Sequence, residues 1–205
     1  MHSSRRTYLP AAGRDAAFPL YDPVTALLGA AARRQLLIDR ADLSTAQRVL
    51  DVGCGTGSLA IAIKRAHPSL FVTGIDPDPL ALARANGKAA RAGVEIHFDR
   101  GFGDELPYAA ASFERVFSSF MLHHLSPALQ RKLLAEVLRV LSPGGRLLLT
   151  DFASSEHGRV FGQRLQGAER IEADLRALGF VAVQVEPRPR WLLQRVVYCS
   201  AERPT

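Results

Sequence analysis

Two hydrophobic rhythms take turns along this chain. Short apolar runs, such as Leu70 to Val72 and Leu147-Leu148-Leu149, alternate with stretches whose apolar positions recur every three or four residues. The runs predict strands at 48–51, 70–76, 94–98, 113–118 and 146–151. The helical spacing predicts helices over 22–40, 56–66, 79–92, 127–141 and 168–178. Punctuation supports these limits: His67-Pro68, Gly93, Pro143-Gly144-Gly145 and Gly179 stand where elements are expected to stop. Two last strands, 180–185 and 192–199, flank a Pro-Arg turn, so they are expected to pair antiparallel. Residues 1–20 mix Ser, Arg, Gly and Pro and read as a loose arm.

Strand and helix alternating through the middle of the chain argue for an α/β domain with a parallel sheet. The chain has 205 residues, enough for one domain with one sizeable core. The expected division is an arm and helix over 1–40, a core over 46–152, and a short lid, helix and hairpin over 153–205. With 47% hydrophobic and 22% charged residues, the composition is that of a folded globular protein. No apolar run reaches the ~18–20 residues of a membrane span. Arg5 and Arg6 are followed by no apolar stretch, so no signal peptide is expected. Cys54 and Cys199 are too few for a disulfide framework or a structural zinc site, and a reduced, cytoplasmic setting follows. No metal is expected. The net charge of +6 invites a nucleic-acid partner. The basic residues are nearly all Arg and are scattered along the chain, so no stable nucleic-acid complex is expected.

The candidate chemistry begins where the first strand ends, in Asp51-Val52-Gly53-Cys54-Gly55-Thr56-Gly57. A strand, a glycine-rich turn and a helix N-terminus together make a nucleotide-type cradle. A dinucleotide pyrophosphate and the methionine end of S-adenosylmethionine (SAM) compete for it. Gly53 and Gly55 fit the first two positions of the dinucleotide fingerprint, but Ser58 stands at the third. Asp51 would repel a pyrophosphate and attract an ammonium group. Both facts favour SAM over NAD(P). A plain β–α connection is the bland alternative. Asp76 ends the second strand, where a carboxylate serves ribose hydroxyls or caps the following helix.

With these residues in place, the chain resembles the class I SAM-dependent methyltransferases, and among them the ubiquinone/menaquinone C-methyltransferase group. The resemblance rests on 48–57, on Gly74-Ile75-Asp76, on Leu106-Pro107-Tyr108, on the segment Ser118 to Leu125, and on Leu141 to Leu147. It implies a Rossmann-like, seven-stranded, mostly parallel sheet of order 3-2-1-4-5-7-6 with helices on both faces. It implies SAM as cofactor and S-adenosylhomocysteine as product. Asp51, Gly53, Cys54, Gly55, Thr56 and Gly57 would face the methionine end. Asp76 would take the ribose. Pro77, Phe102 and Gly103 would lie by the adenine, and Ser119 and Phe120, with Met121, beside the cofactor. The family usually carries Asp or Asn where Phe102 stands, which leaves stacking, backbone contacts, Asp99 or Asp104 to hold the adenine.

Methyl transfer needs a positioned acceptor, and a base only when the acceptor must lose a proton. His123, His124 and Tyr21 are the candidates, with His157 behind them. A packing or capping role is the competing reading for the histidine pair, and a simple helix start for Tyr21. Ser126 reads as the cap of the helix that follows. Phe18, Leu20, Phe120 and Phe161 suggest an apolar mouth, hence a small or lipid-like acceptor. The expected protein is a monomer or homodimer. The alternatives are a nucleic-acid methyltransferase and a non-catalytic SAM-fold subunit.

Overall fold

The computed structural model describes residues 30–153, 159–160, 163–164, 168–191 and 194–205. Five α-helices and nine strands occur among them. The helices are α1 (Ala30–Asp39), α2 (Ser58–Ala66), α3 (Pro79–Arg91), α4 (Pro127–Val140) and α5 (Ala168–Ala177). The main-sheet strands are β1 (Arg48–Val52), β2 (Phe71–Asp76), β3 (His97–Arg100), β4 (Phe113–Ser119), β5 (Leu141–Ala153), β8 (Val181–Trp191) and β9 (Gln194–Glu202). Between β5 and α5, β6 (Arg159–Val160) and β7 (Gln163–Arg164) form a small antiparallel ladder. The seven-stranded sheet runs β3-β2-β1-β4-β5-β9-β8. This is the expected order, with β8 and β9 as the sixth and seventh strands. β1 to β5 are parallel, and β9 enters antiparallel between β5 and β8.

Both faces of the sheet are covered, so the strands are apolar on both sides. On one face Leu50, Val52, Val116, Leu147 and Leu149 pack with Leu133, Leu134 and Val137 of α4 and Ile171 and Leu175 of α5. On the other, Val49, Val72, Phe117, Leu148 and Tyr198 meet Leu37 and Ile38 of α1 and Leu59, Ala60 and Ile63 of α2. Parallel strands between two helical layers bring their carboxyl ends to one edge of the sheet. Ligands of such folds bind there.

Several boundaries differ from the expected ones for local reasons. β3 starts at His97 rather than at residue 94. Gly93 is left-handed, its N–H donates to Ala90 O at 3.1 Å, and Val94 N donates to Ala89 O at 3.1 Å. That wrap closes α3 and consumes Val94. α2 starts at Ser58 because Gly57, at φ 73°, is its left-handed N-cap. β5 begins at Leu141 opposite Phe113, and pairing resumes at Arg115 opposite Arg146. The expected turn at 143–145 is thus a bulge inside the strand, tied by Gly144 N to Arg203 O and Arg203 N to Gly145 O. The hairpin strands β8 and β9 are both longer than expected. Of the helix expected over 22–40, Ala30–Asp39 is described; residues 22–29, the arm, and the lid segments 154–158, 161–162 and 165–167 lie outside the described residues.

Arg115 joins the two ends of this scaffold. It is buried at the start of β4, where its guanidinium donates to Ala41 O at 2.6 Å, Asp42 O at 2.7 Å, Thr45 Oγ1 at 3.1 Å and Glu114 O at 2.9 Å. These bonds fix the link from α1 into β1. Arg115→Met is expected to lower stability by about 3 kcal/mol, because it strands the buried Ala41 carbonyl and two part-buried ones that a charged donor had satisfied. Urea unfolding of the two proteins measures the difference.

Candidate functional site

The glycine loop is bolted to the end of β2. Gly53 N and Cys54 N both donate to Ile75 O, at 2.8 and 3.1 Å, and Gly57 N donates back to Cys54 O at 2.9 Å. Gly53 and Gly55 take φ values of 71° and 52°, a region that favours glycine. A Cβ on Gly53 would also strike the Met121 side chain. Met121 therefore lies directly on the loop and forms its apolar wall. Thr56 is buried, and Lys88 of α3 donates to its Oγ1 at 3.1 Å and to Ser58 Oγ at 2.7 Å.

Asp76 holds this loop as well as facing the edge. Its Oδ2 accepts Gly55 N at 2.9 Å and its Oδ1 accepts Asp78 N at 2.9 Å. The cap of α3 is Asp78, whose side chain accepts Leu80 N at 2.9 Å, so the capping alternative for Asp76 falls to its neighbour. Burial raises the Asp76 carboxyl above its ordinary range, against the pull of the Asp78 and Gly55 amides. Cys54 is also buried. Burial, then the Asp51 and Asp76 charges, push its thiol well up, which makes it an inert wall residue.

Asp51 is 1% exposed, and its Oδ2 has no hydrogen-bond partner. Burial, then the neighbouring Asp76 charge, push its carboxyl up to about 7, while the Ala60 amide opposes them. An unpartnered carboxylate oxygen under a glycine loop is a site for a cation.

At the ends of β2 and β3, Pro77 O accepts Arg100 Nε at 3.3 Å. Phe102 is half-buried. A Cβ on Gly103 would meet Leu133 Cδ1 at 2.5 Å and Val52 Cγ1 at 2.9 Å, so a larger residue here must push those two buried side chains aside. Asp99 is engaged elsewhere: Tyr108 Oη donates to its Oδ2 at 2.9 Å and His97 Nε2 lies 2.9 Å from its Oδ1.

Past β4 the chain turns sharply. Ser119 is half-buried, and Phe120 is held at φ 52°, with its N–H on Thr150 O at 2.8 Å. A left-handed phenylalanine is strained, as residues at functional sites often are. The turn sets the Phe120 ring 4.9 Å from that of Phe152. Next comes the short turn Leu122–His124. His123 Nδ1 lies 2.6 Å from Asp151 Oδ1, and His123 N donates to Asp151 Oδ2 at 3.1 Å. Both side chains are nearly sealed, at 4% and 2% exposure. Phe152 N also donates to Asp151 Oδ1, at 2.6 Å. With two backbone N–H groups on it, the carboxylate acts as acceptor toward the ring. Nδ1 is then the donor. The His124 ring lies 4.0 Å from that of His123, tilted by 40°. Burial, then the His123 charge, lower the His124 imidazole to about 4, so it is neutral at physiological pH. Ser126 caps α4, as expected, accepting Leu129 N at 3.4 Å.

The residues expected from Asp51 to Phe120 thus gather at one edge, the carboxyl ends of β1 to β4. His123 and His124 lie beside them at the end of β5. Tyr21, His157, Phe18, Leu20 and Phe161 lie outside the described residues. Asp151, Asp78, Phe152 and Gln130 are additions. A signal for Asp151 exists: an acid at the end of β5 neighbours whatever follows β4.

Known proteins match this chain over the same region. A methyltransferase-domain profile matches residues 49–145, and the anamorsin N-terminal profile matches 104–194. A demethylmenaquinone methyltransferase of Deinococcus radiodurans is 42% identical over 118 residues, 56% of this chain and 48% of that protein. One of Thermus thermophilus is 35% identical over 156 residues, 72% of this chain and 70% of its relative. The chain thus spans about half the length of the first and more of the second. Among solved structures, the SAM-dependent methyltransferase SibL superposes with a TM-score of 0.74 at 26% identity, covering 100% of this chain and 64% of SibL. The chain belongs to the SAM-dependent methyltransferase family.

SAM is the cofactor of that family, and the residues present fit it. The orphaned Asp51 oxygen suits its ammonium group, and the loop glycines clear its path. Cofactor affinity is expected to follow Asp51. With a raised carboxyl, the stability this group lends the empty protein is full below the ordinary carboxylate range and is lost as pH rises through about 7. Binding an ammonium needs the ionised form, so affinity runs the other way. S-adenosylhomocysteine should bind about tenfold more weakly per unit below pH 7 and level off above it. Calorimetry at several pH values measures the slope, and Asp51→Asn should flatten it. Asp76→Ala should weaken binding at least about tenfold, since it frees the loop from its carboxylate anchor at the edge.

Proposed function

We propose that this chain methylates a small or lipid-like acceptor with a planar apolar body, at a position activated when a hydroxyl loses its proton. The observation that carries this reading is the sealed His123–Asp151 pair at the carboxyl edge, one strand from the glycine loop. We take 1–205 as one catalytic unit, with 46–152 as its cofactor core.

When bound, SAM supplies an electrophilic methyl group on a sulfonium, and its sulfur leaves as neutral S-adenosylhomocysteine. The chain's work is to bind, orient and deprotonate. Asp51 balances the ammonium, and Asp76 takes the ribose hydroxyls with the lone pairs its backbone donors leave. Phe120, Phe152 and the neutral His124 form a half-buried aromatic rim on which a planar ring can lie. His123 accepts the acceptor's proton at Nε2, and Asp151 holds Nδ1–H and balances the imidazolium that forms. A phenol-type hydroxyl turns nucleophilic at oxygen, or at the ring carbon beside it, once that proton is gone. The names of the two bacterial relatives support a demethylmenaquinone-like acceptor as the first probe.

The test is incubation with SAM and reduced demethylmenaquinone, alongside simpler phenols and hydroquinones, read by mass spectrometry. One methyl gained per S-adenosylhomocysteine formed is expected. Methylation of small charged metabolites alone would overturn the acceptor class. His123→Gln should lower kcat by about 10²- to 10⁴-fold, the usual span for a lost general base, with S-adenosylhomocysteine affinity intact.

A further inference from the structure

Gln130 stands near the start of α4 and is 2% exposed. Its amide nitrogen donates to Leu122 O at 2.8 Å and to Leu125 O at 3.0 Å. Those two carbonyls bracket His123 and His124. The turn between them is a short 3-10 helix, which has few hydrogen bonds of its own: His124 N to Met121 O at 3.0 Å and Leu125 N to Leu122 O at 2.9 Å. The two carbonyls also settle which way the amide faces, since the reverse would set Oε1 against two oxygens. Oε1 is buried without a partner. Gln130 lines a small cavity with Leu122, His123, Asp151, Phe152 and Ile171. An apolar side chain would fill the same volume and leave no orphaned oxygen. Packing alone therefore does not account for a glutamine here.

We infer that Gln130 is a positioning residue for His123: it fixes the main chain of the turn, as Asp151 fixes the ring. A ring held from one side only can still swing about its Cα–Cβ and Cβ–Cγ bonds as the turn shifts. Clamping both carbonyls removes that freedom and keeps Nε2 in one place. The inference rests on the reading of His123 as the base, but the Gln130 variants can overturn it while the base stands.

The test is nitrogen NMR on the full chain labelled with ¹⁵N-histidine, since ring nitrogen shifts report which nitrogen carries the proton. Wild-type His123, assigned by its loss in His123→Gln, is expected in the Nδ1–H form. In Gln130→Met that form should fall at least twofold in population, with S-adenosylhomocysteine affinity unchanged within twofold. An unaltered tautomer in Gln130→Met overturns the inference, however far its melting temperature falls. Should that variant not fold, Gln130→Glu replaces it. Protonated, its carboxyl keeps one donor and the Nδ1–H form; ionised, it keeps none and should lose it. A tautomer that follows the wild-type pH course throughout overturns the inference. A wild-type ring protonated at Nε2 instead overturns the base, and with it the inference. Full methyl transfer by His123→Gln would overturn the base and leave the clamp standing.

Discussion

One join sets the frame for everything at the carboxyl edge: the glycine loop hydrogen-bonded to the end of β2. Ile75 O takes two loop amides and Asp76 Oδ2 takes a third. The loop cannot sag toward the sheet or lift away from it. Three consequences follow. Asp51 stays sealed beneath the loop with one oxygen unanswered. α2 starts from a left-handed glycine, and in its first turn the Ala60 amide reaches back to Asp51. Met121 has a fixed surface to rest on, which fixes where the chain leaves β4. The turn holding His123 begins at the next residue.

Much of the fold is legible in the sequence, because alternating apolar runs and amphipathic stretches leave few architectures open. The parallel core and the antiparallel final hairpin both follow from that rhythm. The boundaries it misreads are places where a backbone contact overrides the pattern. Val94 is apolar and reads as strand, yet its N–H closes a helix. Pro143-Gly144-Gly145 reads as a turn before a strand, yet Leu141 already pairs with Phe113 and the turn bulges out of the ladder.

The site divides the same way. The cofactor half is a run of near neighbours with a distinctive spacing, so Asp51, the glycines and Asp76 stand out from the sequence alone. The histidine pair stands out too, but not its partner, because 28 residues separate His123 from Asp151 and no motif spans them. Gln130 is harder still. Its part is played through backbone carbonyls, which any residue type presents, so nothing in the letters at 122 and 125 points to it. Phe120 reads as an apolar wall, but its left-handed backbone comes from the closing bond to Thr150 and has no local signature.

The place of β9 between β5 and β8 bears on the order in which the molecule is made. The cofactor half closes early: Gly55 meets Asp76 across 21 residues, and both are in place well before β5 emerges. The half that holds Asp151 waits. Its strand needs β9 on its open flank, and the side-chain bond from Thr150 to Val197 spans 47 residues. A chain still on the ribosome therefore has its cofactor cradle before it has a settled His123–Asp151 pair. Contacts of such different reach assemble at different rates. Until β9 arrives, β5 presents an apolar edge on which a neighbouring chain can add a strand.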